Sequence, residues 1–115
     1  MLPKKHRLPV KDFPPKAELL FRSQRLLVKA VENNIGTVRI GISASKKNVP
    51  KAATRNAIKR NILDGLMNSL DALDERGIDL LIIISAPIIK LDLETEDLLR
   101  RDVKKITELI KKDQQ

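Results

Sequence analysis

From Ile78 to Ser85 the chain runs almost without a polar interruption, Asp79 alone breaking the apolar series before Ser85 closes it. A strand with one face in water alternates apolar and polar residues, because successive side chains point to opposite faces. A run this continuous fits a strand covered on both faces, and therefore the middle of a sheet. Gly77 and Pro87 bound it. It is far shorter than the roughly 20 apolar residues that a membrane span requires, so a membrane role is not expected.

The rest of the chain supplies neighbours for that strand. Thr37 to Ser45 alternates: Val38, Ile40, Ile42 and Ala44 share one face, and Thr37, Arg39, Gly41, Ser43 and Ser45 share the other. Leu26 to Val31 is a second strand, and Asn33, Asn34 and Gly36 give turn chemistry between the two. A hairpin of Leu26–Val31 with Thr37–Ser45 is expected. Lys16 to Ser23 reads equally as a short helix or as the lead-in to a strand. Helix is expected from about Ala52 to Leu73, and again from a Thr95 cap to about Lys112, with Leu99, Val103, Ile106 and Ile110 on one stripe. Residues 1–15, with prolines at 3, 9, 14 and 15, form an extended basic arm, and 16–115 a globular body. The expectation is a single α+β domain over 1–115: a two-layer sandwich, a small mixed sheet with helices packed on one face.

Charge narrows the function. The 115 residues carry a net +8, but not evenly. Residues 1–60 hold 15 Lys and Arg against 3 acids, and residues 61–115 hold 8 against 12. A merely basic surface would spread over both halves; a basic half suits a polyanion. There is no cysteine and one histidine, His6. That excludes disulfides, thiolate metal sites and a cysteine nucleophile, and leaves any histidine chemistry to a residue in the polar arm. Met1 to Lys16 has no apolar core of a signal peptide. A cytoplasmic protein is expected, with no obligate protein partner evident and no self-contained catalysis.

The Ala52–Leu73 helix does not pattern like an ordinary core helix. Its apolar stripe, Ile62, Leu63, Leu66, Met67, Leu70 and Leu73, projects backwards onto Arg55 and Lys59, with Asn56 and Arg60 on the flank and Lys51 one turn earlier. Like charges at i,i+4 repel, and cations at a helix N-terminus oppose its dipole. A phosphate backbone would relieve both tensions, since free N–H groups at a helix start also bind phosphate. The alternative is a solvated overhang with incidental charge.

The stretch Arg39-Ile40-Gly41-Ile42-Ser43-Ala44-Ser45-Lys46-Lys47, followed by Lys51-Ala52-Ala53-Thr54-Arg55-Asn56-Ala57-Ile58-Lys59-Arg60, resembles the signature of the bacterial ribonuclease P protein subunit. The opening Leu2-Pro3-Lys4-Lys5-His6-Arg7-Leu8 and Asp12-Phe13 are similar to that family's start. Ala57 stands where the family has a second arginine, and Ala17 stands near its second aromatic. The resemblance implies a protein that is not a catalyst alone: it binds the catalytic RNA subunit and the 5′ leader of precursor tRNA, and assists endonucleolytic removal of the leader. It implies that the RNA does the hydrolysis, with Mg²⁺ held mainly by RNA and substrate. Carried onto this chain, it places RNA contacts at Lys46, Lys47, Lys51, Arg55, Asn56, Lys59 and Arg60, and leader contacts at Phe13, Arg39, Gly41 and Ser43. Phe21 suits core packing or base stacking.

Three other readings fit parts of the sequence. A ribosomal-protein-like structural RNA binder explains the charge but not the tandem motif. A DNA-binding recognition helix lacks the second short helix expected ahead of it. An autonomous nuclease would need Asp92, Glu94, Glu96 and Asp97 as a metal cluster; carboxylates at the start of the last helix are the simpler account.

Overall fold

The computed structural model describes residues 7, 8, 17–33, 35–67 and 77–112. In chain order the elements are β1 (Glu18–Arg22), β2 (Leu26–Glu32), β3 (Arg39–Ser43), α1 (Ala52–Met67), β4 (Ile78–Ile84) and α2 (Leu93–Lys112). The four strands form a mixed sheet in the order β1-β2-β4-β3. β2 runs antiparallel to both β1 and β4, and β3 runs parallel to β4. Within the stretch 16–23, read equally as helix or strand from sequence, Glu18–Arg22 is a strand, β1.

The apolar run is the central strand expected of it, but its position overturns the hairpin. β4 lies between β2 and β3, pairing Val28 with Ile82 on one side and Ile42 with Ile82 on the other. The turn between β2 and β3 is present, with Gly36 at φ 79°. Its strands diverge because β4 can bury both of its faces only in the centre, whereas β3 has polar residues on one face and tolerates the edge. β3, α1 and β4 make a parallel pair joined through a helix, which two-residue hairpins cannot supply.

Both helices contribute to one core on one face of the sheet. Leu26, Val28, Val38, Ile40, Ile78, Leu80, Ile82 and Ile84 meet Ile58, Ile62 and Leu66 of α1 and Leu99, Val103, Ile106 and Ile110 of α2. α1 and α2 approach closely at Gly65, where a Cβ would stand 2.9 Å from Val103 Cγ1. Phe21 packs against this core, as does Leu20. The stripe on α1 therefore begins a turn earlier than expected, at the fully buried Ile58; the backward projection missed it because Ile58 sits between Arg55 and Lys59. The expected continuation of α1 over 68–73 lies outside the described residues. α2 is capped by Asp92, not Thr95: Asp92 Oδ1 accepts the Thr95 N–H at 2.8 Å. That hydrogen bond holds the Asp92 carboxyl below its ordinary value. Asp92, Glu94 and Glu96 sit at the start of α2, as the dipole reading expected.

The edge of β3 is occupied by the chain's own beginning. Arg7 bridges Ile40 in parallel, and the Leu8 N–H donates to the Ile40 carbonyl at 3.0 Å. Leu8 is buried. Its carbonyl oxygen lies 2.6 Å from where a Cβ on Gly41 would be, so only glycine lets this segment in. Gly41→Ala is expected to push residues 7 and 8 off the edge. Hydrogen exchange at the Leu8 amide should accelerate roughly fivefold or more, the equivalent of losing one backbone hydrogen bond of about 1 kcal/mol or more. Unchanged protection at Leu8 would refute the steric account.

Candidate nucleic-acid interface

The carboxyl ends of the parallel strands β3 and β4 lead into two loops, 44–51 and 85–92, and thence into the starts of α1 and α2. The first loop is held in place from several sides. Ser45 carbonyl accepts the Val49 N–H at 2.8 Å, and Ser45 Oγ accepts the Asn48 N–H at 3.2 Å. Val49 is completely buried. Asn48 Nδ2 donates to the Ile84 carbonyl at 3.0 Å, and the Asn48 carbonyl accepts the Ile88 N–H at 2.9 Å. Arg55 reaches back from α1, its Nη1 donating to the Val49 and Pro50 carbonyls at 2.8 and 3.0 Å.

On this frame the expected RNA-contacting residues fall into two groups. Lys46, Lys47, Lys51, Asn56 and Arg60 are exposed, and Lys59 is half-buried. Arg55 is different: half-buried and bonded to two carbonyls, it orders the entry to α1. No acidic residue stands in the first turn of α1, so its positive helix end adds to the lysines instead of being neutralised. Clustered cations with unbalanced helix dipole make a surface suited to a phosphate backbone.

The residues expected to line a leader cleft have other partners within the chain. Arg39 and Asp79 sit opposite each other on β3 and β4. Arg39 Nε donates to Asp79 Oδ1 at 2.8 Å and Nη2 to Oδ2 at 2.7 Å. Asn33 Nδ2 donates to the same Oδ1 at 2.7 Å and to the Thr37 carbonyl at 3.1 Å. Burial pushes the Asp79 carboxyl up, but the hydrogen bonds from Arg39 and Asn33 and the Arg39 charge together hold it below its ordinary value. Arg39 is thus a partner of a buried carboxylate, with its side chain 28% exposed, and not a cation standing clear of the sheet. The space over Gly41 is filled by Leu8. Ser43 is half-buried at the end of β3. Phe13 lies outside the described residues. Asp79 and Asn48 were not anticipated from sequence. Asp79 did leave a signal, because a lone carboxylate in a strand covered on both faces requires a cation beside it.

Comparison with known proteins bears on the family and the fold. A family model described as Ribonuclease P matches residues 13–111. The fold is similar to that of the Staphylococcus aureus RNase P protein, with a TM-score of 0.62 and 22% identity over 84% of this chain and 83% of that one. A mutant of that protein with defective mRNA degradation activity gives the same TM-score and identity over 76% of its length. The Thermotoga maritima RNase P protein gives a TM-score of 0.61 and 19% identity over 92% of this chain and 96% of its own. No curated protein matches the sequence.

Proposed function

The chain belongs to the ribonuclease P protein family, and from that premise we propose that it docks on the catalytic RNA through the cations around the start of α1. It is the protein subunit of ribonuclease P, an RNA-binding component of tRNA processing. The observation that carries the docking site is the set of exposed side chains Lys46, Lys47, Lys51, Asn56 and Arg60 on a loop and helix start that the chain itself holds rigid. The partners are the catalytic RNA and precursor tRNA, and bond cleavage is assigned to the RNA. Among the described residues no three His, Asp or Glu side chains gather as a metal site. The Mg²⁺ of the reaction is assigned to RNA and substrate. No helix among the described residues is long and apolar enough to cross a membrane, and the cytoplasm is the compartment that fits tRNA processing.

Protein cations and Mg²⁺ both relieve phosphate repulsion between substrate and catalytic RNA, so each should partly replace the other. Adding the chain to its RNA subunit is expected to lower the Mg²⁺ concentration needed to cleave the 5′ leader. His6→Ala is expected to leave the single-turnover rate unchanged at saturating protein and Mg²⁺. An unshifted Mg²⁺ titration would overturn the electrostatic role. Cleavage by the protein without RNA, or a large loss in His6→Ala, would overturn the assignment of chemistry to the RNA.

A further inference from the structure

Asn48 is the residue through which the two loops at the carboxyl ends of β3 and β4 are joined. Its backbone N–H donates to Ser45 Oγ, its side-chain amide donates to the Ile84 carbonyl, and its carbonyl accepts from Ile88. The side chain carries no charge and follows directly on Lys46 and Lys47, both exposed. Its bond to Ile84 anchors the loop to the end of the central strand, the most buried strand of the sheet. The next residue, Val49, is buried completely.

We propose that Asn48 is a positioning residue for RNA docking, a clamp that holds Lys46 and Lys47 at fixed points so that a phosphate backbone binds without first ordering the loop. This rests on the docking reading above and specifies how the lysines are held. Without the clamp the loop keeps its charges and loses its geometry. Binding must then restrict the backbone at the moment of association, a cost that a preordered site avoids. Pure charge loss and pure loss of order leave different marks. Removing a lysine that contacts phosphate flattens the dependence of affinity on salt. Removing the clamp weakens affinity at every salt concentration and leaves the slope unchanged.

The test is a binding titration of the full chain against its catalytic RNA across salt, with hydrogen exchange on the free protein. Asn48→Ala is expected to speed exchange at the Ile88 and Val49 amides and to weaken binding roughly tenfold at unchanged slope, one hydrogen bond's worth. In the Lys46→Ala/Lys47→Ala background the same substitution should cost little, because the clamp acts through those lysines. Ser45→Ala, which removes one bond of the clamp at an exposed residue, should show the same pattern more weakly and serves if Asn48→Ala does not fold. Additive losses in the lysine background would make Asn48 merely structural and overturn the proposal. So would unchanged affinity alongside faster exchange. A wild-type chain that does not bind the RNA would overturn the docking reading itself, whereas slow exchange at Ile88 and Val49 in Asn48→Ala would overturn only the clamp.

Discussion

Alanine at Lys46, Lys47, Lys51 and Arg60 together is expected to leave the fold intact and reduce affinity for the catalytic RNA by roughly three orders of magnitude near physiological salt. These side chains are exposed and take part in no ion pair among the described residues, so their truncation removes little packing. Each phosphate contact releases counterions worth about 1 kcal/mol at 0.15 M salt, and four contacts give about 4 kcal/mol. The slope of log affinity against log salt should fall by about three to four. Arg101, Lys104 and Lys105, exposed on α2, provide the control. Their triple alanine variant removes a comparable charge elsewhere, and a far smaller loss is expected. Equal losses from the two variants would mean that net charge, and not the surface at α1, drives binding.

Asp79→Ala is expected to be the most destabilising single substitution in the sheet. Asp79 is 1% exposed, and its carboxylate accepts from Arg39 and Asn33. Its removal takes the Asp79 carboxylate from the half-buried Arg39 guanidinium and one of two acceptors from the Asn33 amide, which keeps the Thr37 carbonyl. Breaking one side of a buried pair costs about 3–5 kcal/mol, here toward the lower figure because Arg39 retains some solvent. For a chain of this size that corresponds to a fall in Tm of roughly 10–20 °C. Arg39→Ala/Asp79→Ala should recover part of the loss, since no charge is then stranded. The pH dependence follows from the depressed carboxyl. A group whose folded pKa lies below its unfolded value stabilises the fold above the unfolded value, about 3.9, and loses that contribution as pH falls through the folded one. The stability gap between wild type and Asp79→Ala should therefore be full at neutral pH and narrow only below about pH 4. A gap that stays constant down to pH 2 would show that the carboxylate's charge is not what matters.

This pair also changes what a substitution at Arg39 means. Losing Arg39 strands Asp79 and loosens β3, together with the loop that follows it. A binding defect in Arg39→Ala therefore reports on strand geometry before it reports on contact with a leader, and thermal stability measured beside binding separates the two.

The alternation from Thr37 to Ser45 and the continuous run from Ile78 to Ile84 were enough to identify a half-buried strand and a central one, because side-chain periodicity is set by the backbone of each strand alone. The concentration of cations in residues 1–60 was legible as well, since charge is counted without knowing any partner, and Lys46, Lys47, Lys51 and Arg60 are exposed as that count led one to expect. Sequence did not decide which strand lies beside which. Turn residues at 33–36 favour a hairpin locally, yet inserting β4 between β2 and β3 buries Leu80 and Ile82 against neighbours on both sides, and only the complete sheet realises that gain. The fates of Arg39, Gly41 and Arg55 were beyond sequence for the same reason. A cation on a polar strand face looks available until Asp79 is brought opposite it, a glycine looks open until Leu8 is laid across it, and an arginine on a helix stripe looks stranded until the carbonyls of Val49 and Pro50 fold under it. Each of those partners is distant in sequence or fixed by a loop, and tertiary structure alone brings them together.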